Sequence, residues 1–234
     1  MVTATAAFQG FHPDAAQFLL DLASNNERAW FQAHKADYER MCKAPMEAFV
    51  AALAERFTAR GLPLLADPRR SIFRIYRDTR FAKDKTPYKT HLGANFPWLD
   101  DGGQADAGAH ANGGYFHFQP GEMYVGGGMW MAECPRLEAF RRAIVEDEDR
   151  VRAAIEDPGF VAAFGGISSH HELVRVPPGY PKDHPLAELF RYKDVVFGRS
   201  LADDETFRPD LPDLVADAYD AAMPVFRFLA TLRA

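Results

Sequence analysis

The chain has 234 residues, 47% of them hydrophobic and 26% charged, with a formal net charge of −6. Its length fits one domain or two small ones, and its composition excludes disordered, collagen-like and coiled-coil proteins. No apolar run reaches the roughly 18 residues that span a bilayer. The first residues also lack the basic-then-apolar pattern of a signal peptide. We therefore expect a cytoplasmic protein without a membrane segment.

Apolar residues at helical spacing predict that the first quarter of the chain is helical. The first helix covers 13–23, and Asn26 is a suitable N-cap for a second one that starts at the next residue. Pro45 should break or kink the chain. The helical period then continues to Gly61, a residue that favours a left-handed helix end.

Alternation of period 2 begins at residue 71 and predicts the start of a β-sheet. The first strand is predicted over 71–78, where apolar residues alternate with arginines. Three more strands are predicted over 90–96, 114–119 and 122–131. The last two flank a Pro-Gly dipeptide, which is a good hairpin signal.

The second half of the chain returns largely to helical spacing. Helices are predicted over 135–145, 149–155, 185–192 and 211–229, the last kinked at Pro224, and strands over 172–176 and 195–201. No internal repeat or linker-like composition appears. Helices, then strands, then helices predict one α+β domain over residues 8–231, preceded by a short tail at 1–7. Its sheet should be antiparallel or mixed and packed by the N-terminal and C-terminal helices.

The charge of the chain is distributed unevenly. Residues 69–89 contain eight basic side chains and two acidic ones, a net charge of +6 within an acidic protein. An acidic body repels polyanions, so one concentrated basic segment points to a local site for a small anion and makes a nucleic-acid partner unlikely. The alternative is that these cations pair with carboxylates elsewhere in the protein.

The basic segment also carries a recognisable motif. Residues 74–89 read RIYRDTRFAKDKTPYK, which contains the pattern Arg74-x-x-Arg77-Asp78-x-Arg80-Phe81-x-x-x-Lys85-x-x-Tyr88. This pattern resembles the signature of domain-of-unknown-function family 2461, a group of conserved hypothetical bacterial proteins. The similarity extends from Phe8 through Leu229. The family implies no established activity, so the resemblance supplies a motif without a mechanism.

The predicted strand places Arg74 between Ile72 and Tyr76 on one face of the sheet, where a buried guanidinium needs a carboxylate or an anionic ligand. We expect the motif to bind a phosphate or carboxylate. The predicted ligand-binding residues are Arg74, Arg77, Arg80, Lys89, Gly126, Gly127 and Gly128, and the predicted catalytic residues are Asp78, Lys85, Tyr88 and His91. The glycines are included because consecutive glycines weaken a strand unless a ligand or another backbone comes close.

Two alternatives remain open at this stage. The arginine motif can be a structural ion-pair network inside a binding or scaffold module, and the glycines can be required by crowding against a neighbouring element. His110 and His117, with the aspartates of the loop before them, are a weaker possibility for a divalent metal, and we predict no metal site. The sequence does not identify a cofactor, a reaction or an oligomeric state.

Overall fold

Four antiparallel strands form the centre of the structure, a computed structural model that describes residues 7–106 and 112–232. The strands are β1 (Leu92–Pro97), β2 (Asn112–Phe118), β3 (Tyr124–Met129) and β4 (Val195–Ser200), and they pair in chain order. The predicted hairpin is confirmed, because β2 and β3 are adjacent and join through the Pro-Gly turn. The predicted α+β class is confirmed as well.

The N-terminal helices follow the predicted order. They are α1 (Pro13–Ser24), α2 (Arg28–Ala33), α3 (Lys35–Tyr38), a π-helical turn (Glu39–Lys43) and α4 (Ala44–Arg60). Pro45 lies in the first turn of α4, where a missing N–H needs no partner, and the π-helical turn ends just before it at Lys43. The helical path changes where the proline predicts, but the chain stays helical on both sides. Gly61 ends α4 with a φ of 65°, the left-handed conformation that the sequence predicts.

The C-terminal helices include two that were not predicted from the sequence, Pro158–Phe164 and Asp203–Thr206, and the helix predicted over 185–192 is a shorter 3₁₀ turn. They are α5 (Cys134–Glu146), α6 (Glu148–Ile155), α7 (Pro158–Phe164), α8 (Asp203–Thr206), α9 (Leu211–Ala221) and α10 (Met223–Ala230), with a 3₁₀ turn at Ala187–Arg191. The single kinked helix predicted over 211–229 is therefore two helices, since Pro224 lies in the first turn of α10. The strand predicted over 172–176 is wrong, because only one isolated bridge, Glu172 to Tyr192, forms there.

The two faces of the sheet have different chemistry. The inner face packs on α9 and α10, with α4 beside them, and its side chains are buried: Ala94, Phe96, Phe116, Phe118, Val125 and Phe197. The opposite face, here called the outer face, carries Tyr115, His117 and Tyr124 next to Gly126, because residues opposite each other in the register share a face. One cluster of buried hydrophobic residues extends from Phe8 to Leu232.

The strand predicted over 71–78 is wrong. Ile72 forms an isolated bridge to Ala94 of β1, and Tyr76 forms another to Tyr88, so the segment changes partners after a few residues. The amide of Phe73 donates to the carbonyl of Gly93 at 2.9 Å, whereas the carbonyl of Ile75 accepts from Lys89 at 2.8 Å. A segment that pairs first with β1 and then with residues 87–89 forms no continuous ladder.

No helix of the described residues is long and apolar enough to cross a membrane.

Candidate functional site

The loop between Arg77 and Thr86, here called the motif loop, forms ion pairs between its own arginines and aspartates. The Arg77 guanidinium pairs with Asp84 and also donates to the Thr86 hydroxyl. Arg80 donates through two nitrogens to the Asp78 carboxylate, at 3.0 and 2.7 Å. These ion pairs agree with a structural role for the two arginines, although both carboxylates lie in the loop itself and not elsewhere in the protein, and they fix the shape of the loop.

The carboxylates of the motif loop are stabilised in their charged form. Hydrogen bonds from the Arg80 side chain lower the pKa of Asp78 to about 2. The backbone N–H of Thr86 and then the Arg77 side chain lower the pKa of Asp84 to about 2. Lys85 donates to the carbonyl of Thr79 at 2.8 Å, so this predicted catalytic ammonium also contacts the loop backbone.

Two cations at the base of the loop behave differently. Within the described residues, neither Arg74 nor Lys89 forms an ion pair with a carboxylate. The Lys89 ammonium lies 4.9 Å from the centre of the Phe73 ring, in cation–π contact. Burial, and then the charge of Arg74, lower the pKa of Lys89. The charge of Arg74 therefore acts on two neighbours, since it disfavours the ammonium of Lys89 and also helps to lower the pKa of Asp78.

Arg74 is not buried, contrary to the sequence prediction. Its side chain is exposed, whereas Ile75 next to it is buried. The reason is the change of pairing partner. The segment is irregular and lies at the edge of β1, so no neighbouring element covers this side chain as it would in a regular, packed strand. The arginine nevertheless lies close enough to Lys89 to affect its pKa.

Two histidines lie beside these cations. The rings of His91 and His117 are stacked with centres 4.6 Å apart. Burial, followed by the proximity of His117 and Lys89, lowers the pKa of His91 to about 4. Burial also lowers the pKa of His117. Both imidazoles are therefore neutral near pH 7 and can accept a proton.

Aromatic side chains of β2 and β3 complete the surroundings of the histidines. The Tyr115 hydroxyl lies 2.8 Å from Nδ1 of His117, and the Tyr124 ring stacks on His117 at 4.9 Å. Burial raises the pKa of both tyrosines. We call the whole group the outer-face cluster, and its members are Phe73, Arg74, Lys89, His91, Tyr115, His117 and Tyr124.

Tyr88, predicted to be catalytic, has a packing position. Its side chain is 2% exposed and its ring stacks on Phe31 with centres 4.1 Å apart. Its backbone N–H and carbonyl bind the side chain of Asn26, at 3.0 and 2.9 Å. Asn26 is therefore not the helix cap that the sequence predicts; α2 is preceded by Glu27, and Asn26 connects the helices to the end of the motif loop.

Neighbouring atoms of the protein already crowd the three glycines of β3. A Cβ atom at Gly126 would lie 2.4 Å from the carbonyl oxygen of Phe197, and one at Gly127 would lie 2.8 Å from the Phe226 ring. Gly128 has a φ of +112° and would place a Cβ 2.2 Å from the Val195 carbonyl oxygen. Close approach of the neighbouring strands and of α10 accounts for these glycines.

Metal-ligating side chains do not cluster in the described part of the chain. Within the described residues, no group of three or more His, Cys, Asp or Glu side chains could hold a metal ion. His110, which the sequence raises as a weaker metal ligand, lies outside those residues. His117 instead belongs to the outer-face cluster, where Lys89 supplies positive charge.

The exposure of Arg74 gives a first testable prediction. We expect Arg74→Ala to change the free energy of unfolding by no more than about 0.5 kcal/mol, as for other surface substitutions away from a packed contact. Urea denaturation measures this value, with Arg77→Ala as the matched control, because Arg77 is half-buried and paired with Asp84. A loss of several kcal/mol at Arg74 would mean that a buried carboxylate pairs with it.

The fold and the site together define an α+β protein with a cationic, aromatic surface on the outer face of its sheet. The family model described as a conserved hypothetical protein, DUF2461, matches residues 14–228. The chain therefore belongs to this family. No curated protein and no solved structure matches the chain.

Proposed function

We propose that this protein binds a small phosphate or carboxylate anion at the outer-face cluster, between Arg74 and Lys89. The observation that carries the proposal is a half-buried lysine near an arginine, neither of which lies within ion-pair distance of a carboxylate in the described residues. Arginine can bind an oxyanion through two parallel hydrogen bonds, and lysine adds a point charge. The net charge of the protein, −6, favours a small anion over nucleic acid.

The energetics of the free protein support this proposal. Partial burial of the Lys89 ammonium removes water from it, and the nearby Arg74 adds repulsion, so the charged form is unfavourable. The Phe73 ring offers a cation–π contact worth only about 0.5–1 kcal/mol at a partly exposed site. An anion between the two cations would offset both the repulsion and the loss of hydration.

The proposal divides the residues of the motif into two groups. Arg74, Lys89 and His91 belong to the binding group, with His117 and Tyr115 beside them. The holding group fixes the motif loop and its base: Arg77, Asp78, Arg80, Lys85 and Tyr88. As the neutral base nearest to Lys89, His91 is the residue we propose would accept a proton from a ligand or a water. We propose the cytoplasm as the place of action.

The alternative is a scaffold module in which the motif serves only to stabilise the fold. The ion pairs of Arg77 with Asp84 and of Arg80 with Asp78 favour it. It gives no reason, however, for placing Arg74 and Lys89 next to each other. The two proposals therefore differ in the role of the Lys89 charge, which either binds an anion or stabilises the fold.

Lys89→Met separates the two functions, because it keeps the apolar stem and removes the charge. We expect the melting temperature of the free protein to stay the same or rise, since an unfavourable charge is lost. Wild type should be stabilised by at least one of phosphate, pyrophosphate, citrate and succinate, and by about 2.7 kcal/mol at one hundred times the dissociation constant. The variant should lose that stabilisation.

Lys85→Met is the matched control, because it makes the same chemical change at an exposed lysine that contacts only the loop backbone in the described structure. It should keep the stabilisation by the anion. A lower melting temperature for Lys89→Met, with no anion stabilising wild type, would support the scaffold and reject the anion site.

A further inference from the structure

Phe81 projects from the motif loop into solvent. The residue is 95% exposed, more than any other large hydrophobic residue in the described part of the chain. Arg80 and Lys83 flank it, and Lys83 forms no ion pair within the same described residues. Burying an aromatic side chain of this size contributes about 1.5–3 kcal/mol. The loop therefore presents an apolar tip with positive charge beside it, here called the finger (residues 80–83).

The finger is held in shape by the rest of the loop. The Arg80 guanidinium donates to Asp78 on one side, and Lys85 donates to the carbonyl of Thr79 on the other. Holding the backbone in this way reduces the conformational entropy that would be lost when the tip is bound. Such a braced, exposed aromatic residue has the properties of an anchor that fills a pocket on a partner.

A cavity with complementary chemistry lies among the N-terminal helices α1, α2 and α3. Its volume is about 430 Å³, and Phe18, Trp30 and Met41 supply apolar walls. Three carboxylates line the same space: Asp14, Asp21 and Asp37. Arg40 already pairs with Asp37 at 2.9 Å, so Asp14 and Asp21 supply the charge that a partner can meet. We call this space the acidic cavity. It offers apolar contact for a ring and negative charge for the cations next to that ring.

The junction of α1 and α2 joins the acidic cavity to the base of the motif loop, because Asn25 lines the cavity and the next residue contacts Tyr88. Asn26, between α1 and α2, binds the backbone of Tyr88 at the base of the motif loop. Phe31, adjacent in sequence to Trp30 of the cavity, stacks on the Tyr88 ring. Because Phe81 is 95% exposed, the finger does not occupy the cavity of its own chain.

We propose that this protein associates with a second copy of itself, and that Phe81 of each copy fills the acidic cavity of the other. Lys83 then faces Asp14 and Asp21 across the contact. Each copy contributes one finger and one cavity, so a two-fold axis would relate the two contacts and close a dimer. Charge complementarity selects this occupant, since Lys83, which forms no ion pair within the described residues, meets the carboxylates of Asp14 and Asp21.

Sedimentation over a range of protein concentrations tests the proposal. Wild type should form a dimer that dissociates on dilution and weakens with added salt. Phe81→Ser should raise the dissociation constant about thirtyfold or more, as expected when an aromatic anchor is truncated. Asp21→Lys should raise it as well, because it replaces an attraction with a repulsion. Both variants change exposed residues, so their melting temperatures as monomers should match wild type.

Two variants elsewhere on the surface are matched controls. Val174→Ser removes an apolar side chain that is 91% exposed, and Glu146→Lys reverses an exposed carboxylate at the end of α5. Both should leave the dissociation constant unchanged. If either control weakens the dimer as much as Phe81→Ser does, the contact lies elsewhere and the proposal fails.

A mixture of the two variants gives the sharpest test. Phe81→Ser keeps an intact cavity and Asp21→Lys keeps an intact finger, so each alone forms no complete contact, whereas their mixture forms one. Equimolar mixing should therefore restore part of the association that both variants have lost. A monomeric wild type at every concentration, or a mixture no more associated than its components, would overturn the proposal.

Discussion

Acidification from pH 6.5 to pH 4 should lower the free energy of unfolding by up to about 3 kcal/mol through His91 alone. Burial holds the pKa of His91 at about 4 in the folded protein, against 6.5 for an unperturbed histidine. In this window the unfolded chain takes up a proton that the folded protein does not, so stability falls as the pH decreases. Well above pH 6.5 the imidazole is neutral in both states and the effect disappears.

Urea denaturation of wild type and His91→Gln at several pH values measures this contribution. The variant should lose less stability on acidification, while His117, whose pKa is also lowered, retains a smaller effect of the same sign. His170→Gln, at an exposed histidine, is the control and should follow wild type. Equal pH dependence in wild type and His91→Gln would show that His91 is not desolvated in the folded protein.

The same histidine links the pH to the proposed anion site. A bound anion next to His91 favours the charged imidazole and should raise its pKa. Phosphate should therefore reduce the loss of stability between pH 6.5 and pH 4 in wild type. In Lys89→Met, which we expect not to bind the anion, phosphate should have no such effect.

Gly128→Ala should destabilise the fold by about 4 kcal/mol, near the upper end of single substitutions. The φ of +112° is a conformation that alanine rarely adopts, and its Cβ would lie 2.2 Å from the carbonyl oxygen of Val195 and 2.9 Å from the Cα of Val196. Both atoms belong to the backbone of β4, which cannot move without breaking its pairing with β3.

Gly121→Ala separates backbone strain from crowding. Gly121 has a φ of +80°, but nothing lies within 4 Å of the Cβ position. Its substitution should cost only about 1–2 kcal/mol, the strain of a left-handed alanine. Chemical denaturation of both variants measures the difference. Equal losses at Gly121 and Gly128 would mean that contact with β4 does not explain the glycine in the strand.

The local features of the fold were readable from the sequence. Helical spacing placed α1 and α5 within a few residues of their ends, and the Pro-Gly turn placed the hairpin of β2 and β3. The left-handed end of α4 at Gly61 followed from its residue type. These features depend on interactions between residues close together in the chain, so the local sequence is enough to predict them.

The period-2 alternation of β2 also indicated part of the outer-face cluster that was not predicted from the sequence. It places Tyr115 and His117 on the same face, but it does not say which residues of other strands share that face. Only the register of β1 and β2 brings His91 close to His117, which is 26 positions away. Phe73 and Tyr124 join the cluster for the same reason, through the pairing of neighbouring segments.

The tertiary structure also decided which cations of the motif are compensated. Arg77 with Asp84 and Arg80 with Asp78 are close in sequence and pair within the motif loop. The exposure of Arg74 and the partial burial of Lys89 depend instead on how 71–78 changes partners between β1 and residues 87–89. Alternating residues look the same whether their strand is continuous or not, because burial is set by what packs across the sheet and not by the local pattern.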